Sequence, residues 1–191
     1  MTMIEMKATL AAVGLATVLS VPVTIGISCN AQAASRAVDI NKHVDEALEV
    51  LFRTNPVAAD IAKQSRAVLV FPSIVKAGLV FGGAYGEGEL KQGPQVLNYY
   101  NSFSASWGLQ IGAQAYGYAV FLMSEKALEY IDRSEGWEIG VGPTVVIVNE
   151  GIAKNLSTTT LKDDAYAFIF DQEGLMAGIS IEGSKISKIK R

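Results

Sequence analysis

The chain has one histidine, His43, and one cysteine, Cys29, and these two counts bound the chemistry it can do. One histidine excludes multi-histidine metal sites and leaves a single base for any Ser–His–Asp triad. His43 stands among Lys42, Asp45 and Glu46, on the polar side of an amphipathic stretch, and no Gly-x-Ser-x-Gly elbow follows a strand pattern. It reads as a solvated surface histidine. Glycosidase-type work needs two acids across a cleft. Glu87 and Glu89 are two apart in an extended segment, so they share one face and are expected to be solvated. The run Gly82-Gly83-Ala84-Tyr85-Gly86-Glu87-Gly88 has the glycine content of a phosphate cradle. It has neither the Walker spacing nor a G-x-G-x-x-G opening a helix, and it reads as a bulged strand. Asp132 and the pair Asp163-Asp164 lack the ligand ladder of a calcium loop. No catalytic residue, metal site or cofactor is expected, and the chain is not read as an enzyme.

What remains is positive charge near the end of the sequence: Lys185, Lys188, Lys190 and Arg191. Near an anionic bilayer each such residue gains about 1 kcal/mol, so four give roughly 4 kcal/mol. That is a weak contact unless a lipid pocket, several copies or a lipid anchor adds to it. A solvated tail following the last strand accounts for the same residues equally well. With a formal net charge of −3, bulk electrostatics do not suggest a nucleic-acid partner.

These residues need elements to hold them. Val44, Ala47, Leu48, Leu51 and Phe52 recur at helical spacing and predict a helix over Asp39–Arg53, with Asp39 as N-cap. Asn55-Pro56 ends it and opens a second helix over Val57–Lys63. Ala67–Phe71 reads as a short strand closed by Pro72. Leu79–Leu90 and Val96–Ser106 form a hairpin about the turn Lys91-Gln92-Gly93-Pro94, and Trp107–Leu122 is a further extended stretch. Ser124 caps a short helix, Glu125–Arg133, that Gly136 stops. Glu138–Val148, Ala165–Asp171 and Leu175–Glu182 are the remaining β segments, the last two joined by a turn at Gln172-Glu173-Gly174. The fold class expected is α+β: a curved, mainly antiparallel sheet with two N-terminal helices and one short internal helix.

Residues 1–33 read as an export signal. Lys7 precedes the apolar run Ala8–Val21, Pro22 breaks it, and Ala31-Gln32-Ala33 fits signal peptidase cleavage, leaving residues 34–191 as one domain. A second route competes: Gly26-Ile27-Ser28-Cys29 loosely resembles a lipobox, in which Cys29 becomes the lipidated first residue. A retained membrane anchor is disfavoured by Pro22 and the cleavage motif. The expected location is the periplasm or cell envelope, with lipid anchoring through Cys29 as the variant.

Several ordered motifs then resemble one family. Val70-Phe71-Pro72-Ser73-Ile74-Val75-Lys76-Ala77-Gly78, followed by Gly82–Gly88, is similar to the opening signature of the SYLF domain. Ser104–Gln114 is similar to its central motif. Phe121-Leu122-Met123-Ser124 and Gly136–Gly140 match the next block, and Ala165–Phe168 with Gly174–Ile186 match its end. The resemblance covers about Val44–Ile189. It implies a lipid-binding module without enzymatic activity, whose eukaryotic relatives bind phosphoinositides and whose fungal relatives also bundle actin. The relatives' basic N-terminal helix is replaced here by one carrying Asp39, Asp45, Glu46 and Glu49 against Lys42 and Arg53, which argues against phosphoinositide specificity. Actin is not an expected partner for an exported bacterial protein. The resemblance implies phospholipid or an anionic membrane surface as partner, with headgroups near Lys76, Lys185, Lys188, Lys190 and Arg191, and Trp107 and Trp137 as candidate lining of an apolar pocket. The alternative is a protein–protein scaffold of the envelope, with an envelope protein as partner.

Overall fold

The computed structural model describes residues 26–78, 81–107, 112–133, 136–138, 141–148, 152, 156, 161–174 and 184–191. The expected export segment lies outside these up to residue 25; Cys29 and the Ala31–Ala33 motif fall on the first helix.

That helix, α1, runs over Gly26–Thr54, and α2 over Pro56–Ala62. Asp39 is therefore not an N-cap. No proline or glycine interrupts residues 27–54, and Ala31, Ala33, Ala34 and Ala37 favour helix, so α1 starts well before its apolar stripe does. Pro56 occupies the first turn of α2, where its missing N–H costs nothing.

Four long antiparallel strands follow: β1 (Ala67–Gly78), β2 (Phe81–Gln92) and β3 (Gln95–Trp107) form a meander, and β4 (Gly112–Leu122) returns to pair with the free side of β1. Helix α3 (Glu125–Arg133) leads to β5 (Gly136–Glu138) and β6 (Val145–Ile147), and β7 (Ala165–Gly174) and β8 (Lys185–Ile189) complete the set. They form one eight-stranded sheet in the order β5-β8-β3-β2-β1-β4-β7-β6, antiparallel except for β6 beside β7. The α+β class and its curved, mainly antiparallel sheet are as expected.

Three boundaries differ from the sequence reading. Pro72 does not close β1. The register shifts at this point against both neighbours, between Val70 and Ser73 toward β2 and between Phe71 and Ile74 toward β4. A bulge asks no ladder hydrogen bond of the proline, so a central strand tolerates it. The stretch Glu138–Val148 is not one strand. Gly142, at φ 92°, and Pro143 divide it into β5 and β6, which join opposite ends of the sheet. Gln172-Glu173-Gly174 is not a turn but the end of β7, with Glu173 opposite Ala115 and Gly174 opposite Gln114. The expected strand Leu175–Glu182 lies outside the described residues.

The Pro72 bulge also explains two glycines. It presses β1 onto β2, so that a Cβ on Gly88 would lie 2.0 Å from the Val70 carbonyl oxygen and one on Gly86 2.6 Å from that of Ser73.

The sheet is packed on both faces. On one face α1 and α2 bury Ile40, Val44, Leu51, Ala58 and Ile61 against Val70, Ala119, Phe121, Tyr166 and Phe168. The apolar stripe read from sequence is the stripe that docks, and each fully buried Val or Leu contributes about 1.5–3 kcal/mol. On the other face Ala127 and Ile131 of α3 meet Leu69, Phe71, Leu90, Tyr118, Val120 and Trp137. Ser124 caps α3 as expected, its Oγ accepting the Ala127 N–H at 3.1 Å.

Candidate functional site

Tyr85, Glu87, Glu89 and Lys91 alternate along β2 and therefore share the α1 face of the sheet. They are not simply solvated. Glu89 is fully buried beneath α1, and the Lys91 ammonium stands 3.6 Å from its Oε1. Lys91 also pairs with Asp45 of α1. The Asn41 amide, turned so that its nitrogen faces the carboxylate, donates to Glu89 Oε2 at 2.5 Å. Burial pushes the Glu89 carboxyl above the ordinary glutamate value, Lys91 opposes the rise and Asp45 adds to it. The sequence reading missed this burial because a strand pattern alone does not show where a helix will lie.

Glu87 is half-buried. Arg191 meets it as a fork, Nε donating to Oε2 at 3.2 Å and Nη2 to Oε1. The Tyr85 hydroxyl donates to the same Oε1 at 2.7 Å. Burial alone would raise the Glu87 carboxyl. The bonds from Tyr85 and Arg191, with the charges of Arg191 and Arg36, outweigh it and leave the carboxyl below its usual range.

Lys185 and Lys188 are not part of a tail, and only Lys190 and Arg191 follow the last strand. Lys185–Ile189 is β8 itself, paired with β3 on one side and β5 on the other. Lys185 is exposed opposite Phe103. Lys188 points to the other face, opposite Tyr100, with Asp132 of α3 at 3.6 Å. Lys188, Lys190 and Arg191 line a groove of about 540 Å³ whose floor includes Leu97, Tyr99 and Ile189. Sequence reasoning missed β8 because Ile186 and Ile189 do not alternate and the charges around them suggest solvent.

A feature that sequence reasoning missed altogether is a row of exposed apolar side chains. Val75, Tyr85 and Phe103 are 55%, 47% and 53% exposed. They are direct cross-strand partners, Val75 with Tyr85 and Tyr85 with Phe103, and Lys185 continues the row beyond Phe103. The next row repeats the character with Ala77, Gly83 and Ala105, of which both alanines are exposed. Each residue alone is unremarkable in sequence, and only the register makes them neighbours.

The other expected lipid contacts disperse. Lys76 is half-buried on the opposite face, in register with Ala84 and the buried Gln114. Trp137 is 2% exposed, its indole N–H donating to the Val141 carbonyl at 3.0 Å and its ring edge-on to Tyr130 at 6.3 Å. Trp107 ends β3, and its side chain lies outside the described residues, as does that of Cys29. His43 is exposed on α1. Asp132 is engaged by Lys188, and Asp164 by Ser124, Thr144 and Lys126. Among the described residues no helix is long and apolar enough to cross a membrane, and no group of three or more His, Cys, Asp or Glu is placed to hold a metal ion.

A family model, Ysc84, described as Las17-binding protein actin regulator, matches residues 103–191. No curated protein matches the chain. The matched segment contains the end of β3 from Phe103 onward, β4, α3 and β5 to β8, including Lys185 and Arg191.

Proposed function

With residues 103–191 belonging to the Las17-binding, actin-regulator family of SYLF domains, a family described by what it binds and not by a reaction, we propose that this chain is a non-enzymatic phospholipid-binding module of the bacterial cell envelope. The observation that carries this reading is the exposed row Val75–Tyr85–Phe103 with Lys185 at its end. Contiguous exposed apolar side chains mark interaction surfaces. Aromatic and aliphatic groups beside a cation suit the boundary between acyl chains and phosphates. The groove cations Lys188, Lys190 and Arg191 flank the same strands. In this reading residues 1–33 deliver the chain to the envelope, and lipidation at Cys29 is the tethered variant.

Flotation with phosphatidylcholine–phosphatidylglycerol vesicles tests it. The wild-type chain is expected to float, less so as salt rises, and V75D/F103D is expected to lose flotation while keeping its circular dichroism spectrum. A wild-type chain that stays at the bottom of the gradient, or a double variant that floats equally, overturns the reading.

The family description supplies one observation for a second reading, since it names a protein as the thing bound. An envelope protein seated on the same row would be captured by the wild type and not by V75D/F103D, irrespective of Lys185→Glu. Actin is not proposed as the partner of an exported chain.

A further inference from the structure

Glu87 carries more positive charge than it can balance. The Arg191 fork grips it through two nitrogens, the Tyr85 hydroxyl donates to it, and Arg36 of α1 adds its charge. The charges of two guanidinium groups therefore act on a single carboxylate, Arg191 in direct contact with it. The fork geometry that fits a carboxylate fits a phosphate equally, and a phosphate brings the second charge that this carboxylate lacks. The pair is also reachable: the Arg191 and Glu87 side chains are 16% and 26% exposed, and Arg191 opens onto the groove that Lys188 and Lys190 line. We propose that Arg191 and the Tyr85 hydroxyl form a phosphate-binding site, and that Glu87 holds it as an internal stand-in anion until a phosphate group displaces it.

The displaced group has a defined consequence. Tyr85 belongs both to this site and to the exposed apolar row, so exchange of Glu87 for phosphate changes the partner of a side chain that sits beside Val75 and Phe103. Where the phosphate belongs to a lipid, the inference rests on the membrane reading above. The site itself does not, because a free phosphate presents the same chemistry.

The test uses the full chain and two probes: inorganic phosphate by titration calorimetry, and flotation on phosphatidylcholine vesicles carrying phosphatidic acid. Glu87→Gln removes the stand-in and is expected to tighten binding by about five-fold, the equivalent of about 1 kcal/mol. E87Q/R191Q is expected to lose that gain. R191K in the wild-type background keeps the charge, removes the fork and is expected to weaken phosphate binding, which decides the matter should E87Q not fold. A gain with both probes assigns the site to phosphate in general, and a gain with vesicles alone assigns it to a headgroup presented by a membrane. A gain with inorganic phosphate in a chain that does not float keeps the site and removes the membrane reading. If E87Q binds neither probe more tightly, if its gain survives loss of Arg191, or if R191K binds phosphate as the wild type does, Glu87–Arg191 is only a tie between β2 and β8 and the proposal fails.

Discussion

Asp45 of α1 and Glu89 of β2 share one counter-ion, the ammonium of Lys91. The arrangement fixes how helix docking responds to pH. The Glu89 carboxyl is raised above the ordinary value of 4.5, first by burial, so the folded state holds its proton more tightly than the unfolded chain does. The stability this brings is complete below 4.5 and is lost as pH rises through the folded value. The denaturation midpoint of the wild type is therefore expected to carry a declining limb that starts near 4.5 and levels off above the folded value. Glu89→Gln, which mimics the protonated form, removes that limb and is favoured at neutral pH by on the order of 1 kcal/mol. Parallel pH profiles for the two proteins would refute this account of the junction.

Gly88→Ala tests the close approach at the Pro72 bulge. The added methyl would sit 2.0 Å from the Val70 carbonyl oxygen and 2.8 Å from the Phe71 ring. The ring can turn, but the backbone of a central strand cannot move without disturbing both neighbours. We expect a loss of about 3 kcal/mol in chemical denaturation. By contrast, Gly83→Ala meets nothing closer than 3.6 Å and should fall within about 1 kcal/mol of wild type. Equal effects at the two positions would contradict the bulge as the reason for the glycines.

Sequence reading reached what local chemistry dictates. The Ser124 cap, the proline opening α2, the Gly93-Pro94 turn and the apolar stripe Val44–Phe52 each depend on residues within one or two turns of chain. It stopped where the deciding contact is distant. Pro72 ends a strand in isolation but sits inside one once β2 and β4 both shift register around it. Lys185–Ile189 has the charge of a tail and becomes a strand because β3 and β5 offer it two edges. Glu89 reads as solvated until α1 covers it, and the row Val75–Tyr85–Phe103 exists only through the pairing of strands. The candidate cations were legible as residue types, whereas the partners that occupy them, Glu87 and Asp132, were not.

Ser124→Ala removes two functions from one hydroxyl. Ser124 Oγ caps α3 and also donates to Asp164 at 2.8 Å, and this bond is the leading cause that holds the Asp164 carboxyl below the ordinary aspartate value. A lowered carboxyl stabilises the fold above its unfolded value of 3.8 and stops doing so as pH falls through the folded one. The variant is expected to lose about 1 kcal/mol at neutral pH through the cap. Its deficit should narrow toward strongly acid pH, where the Asp164 contribution is gone from both proteins. A deficit that does not change with pH would leave the cap intact as an explanation and remove Asp164 from it.

Trp137→Phe separates core from binding surface. The indole is buried between α3 and the sheet, and its N–H satisfies the Val141 carbonyl. Phenylalanine keeps an aromatic ring near Tyr130 but leaves that carbonyl without its donor and a small void behind the ring. A destabilisation of about 1–3 kcal/mol in denaturant unfolding is expected. Vesicle flotation under native conditions should be unchanged, because no edge of this ring reaches the surface that carries Val75, Tyr85 and Phe103. Flotation lost in W137F, at a denaturant-free condition where its circular dichroism spectrum still matches wild type, would place the lipid surface on the α3 face of the sheet and not on the α1 face.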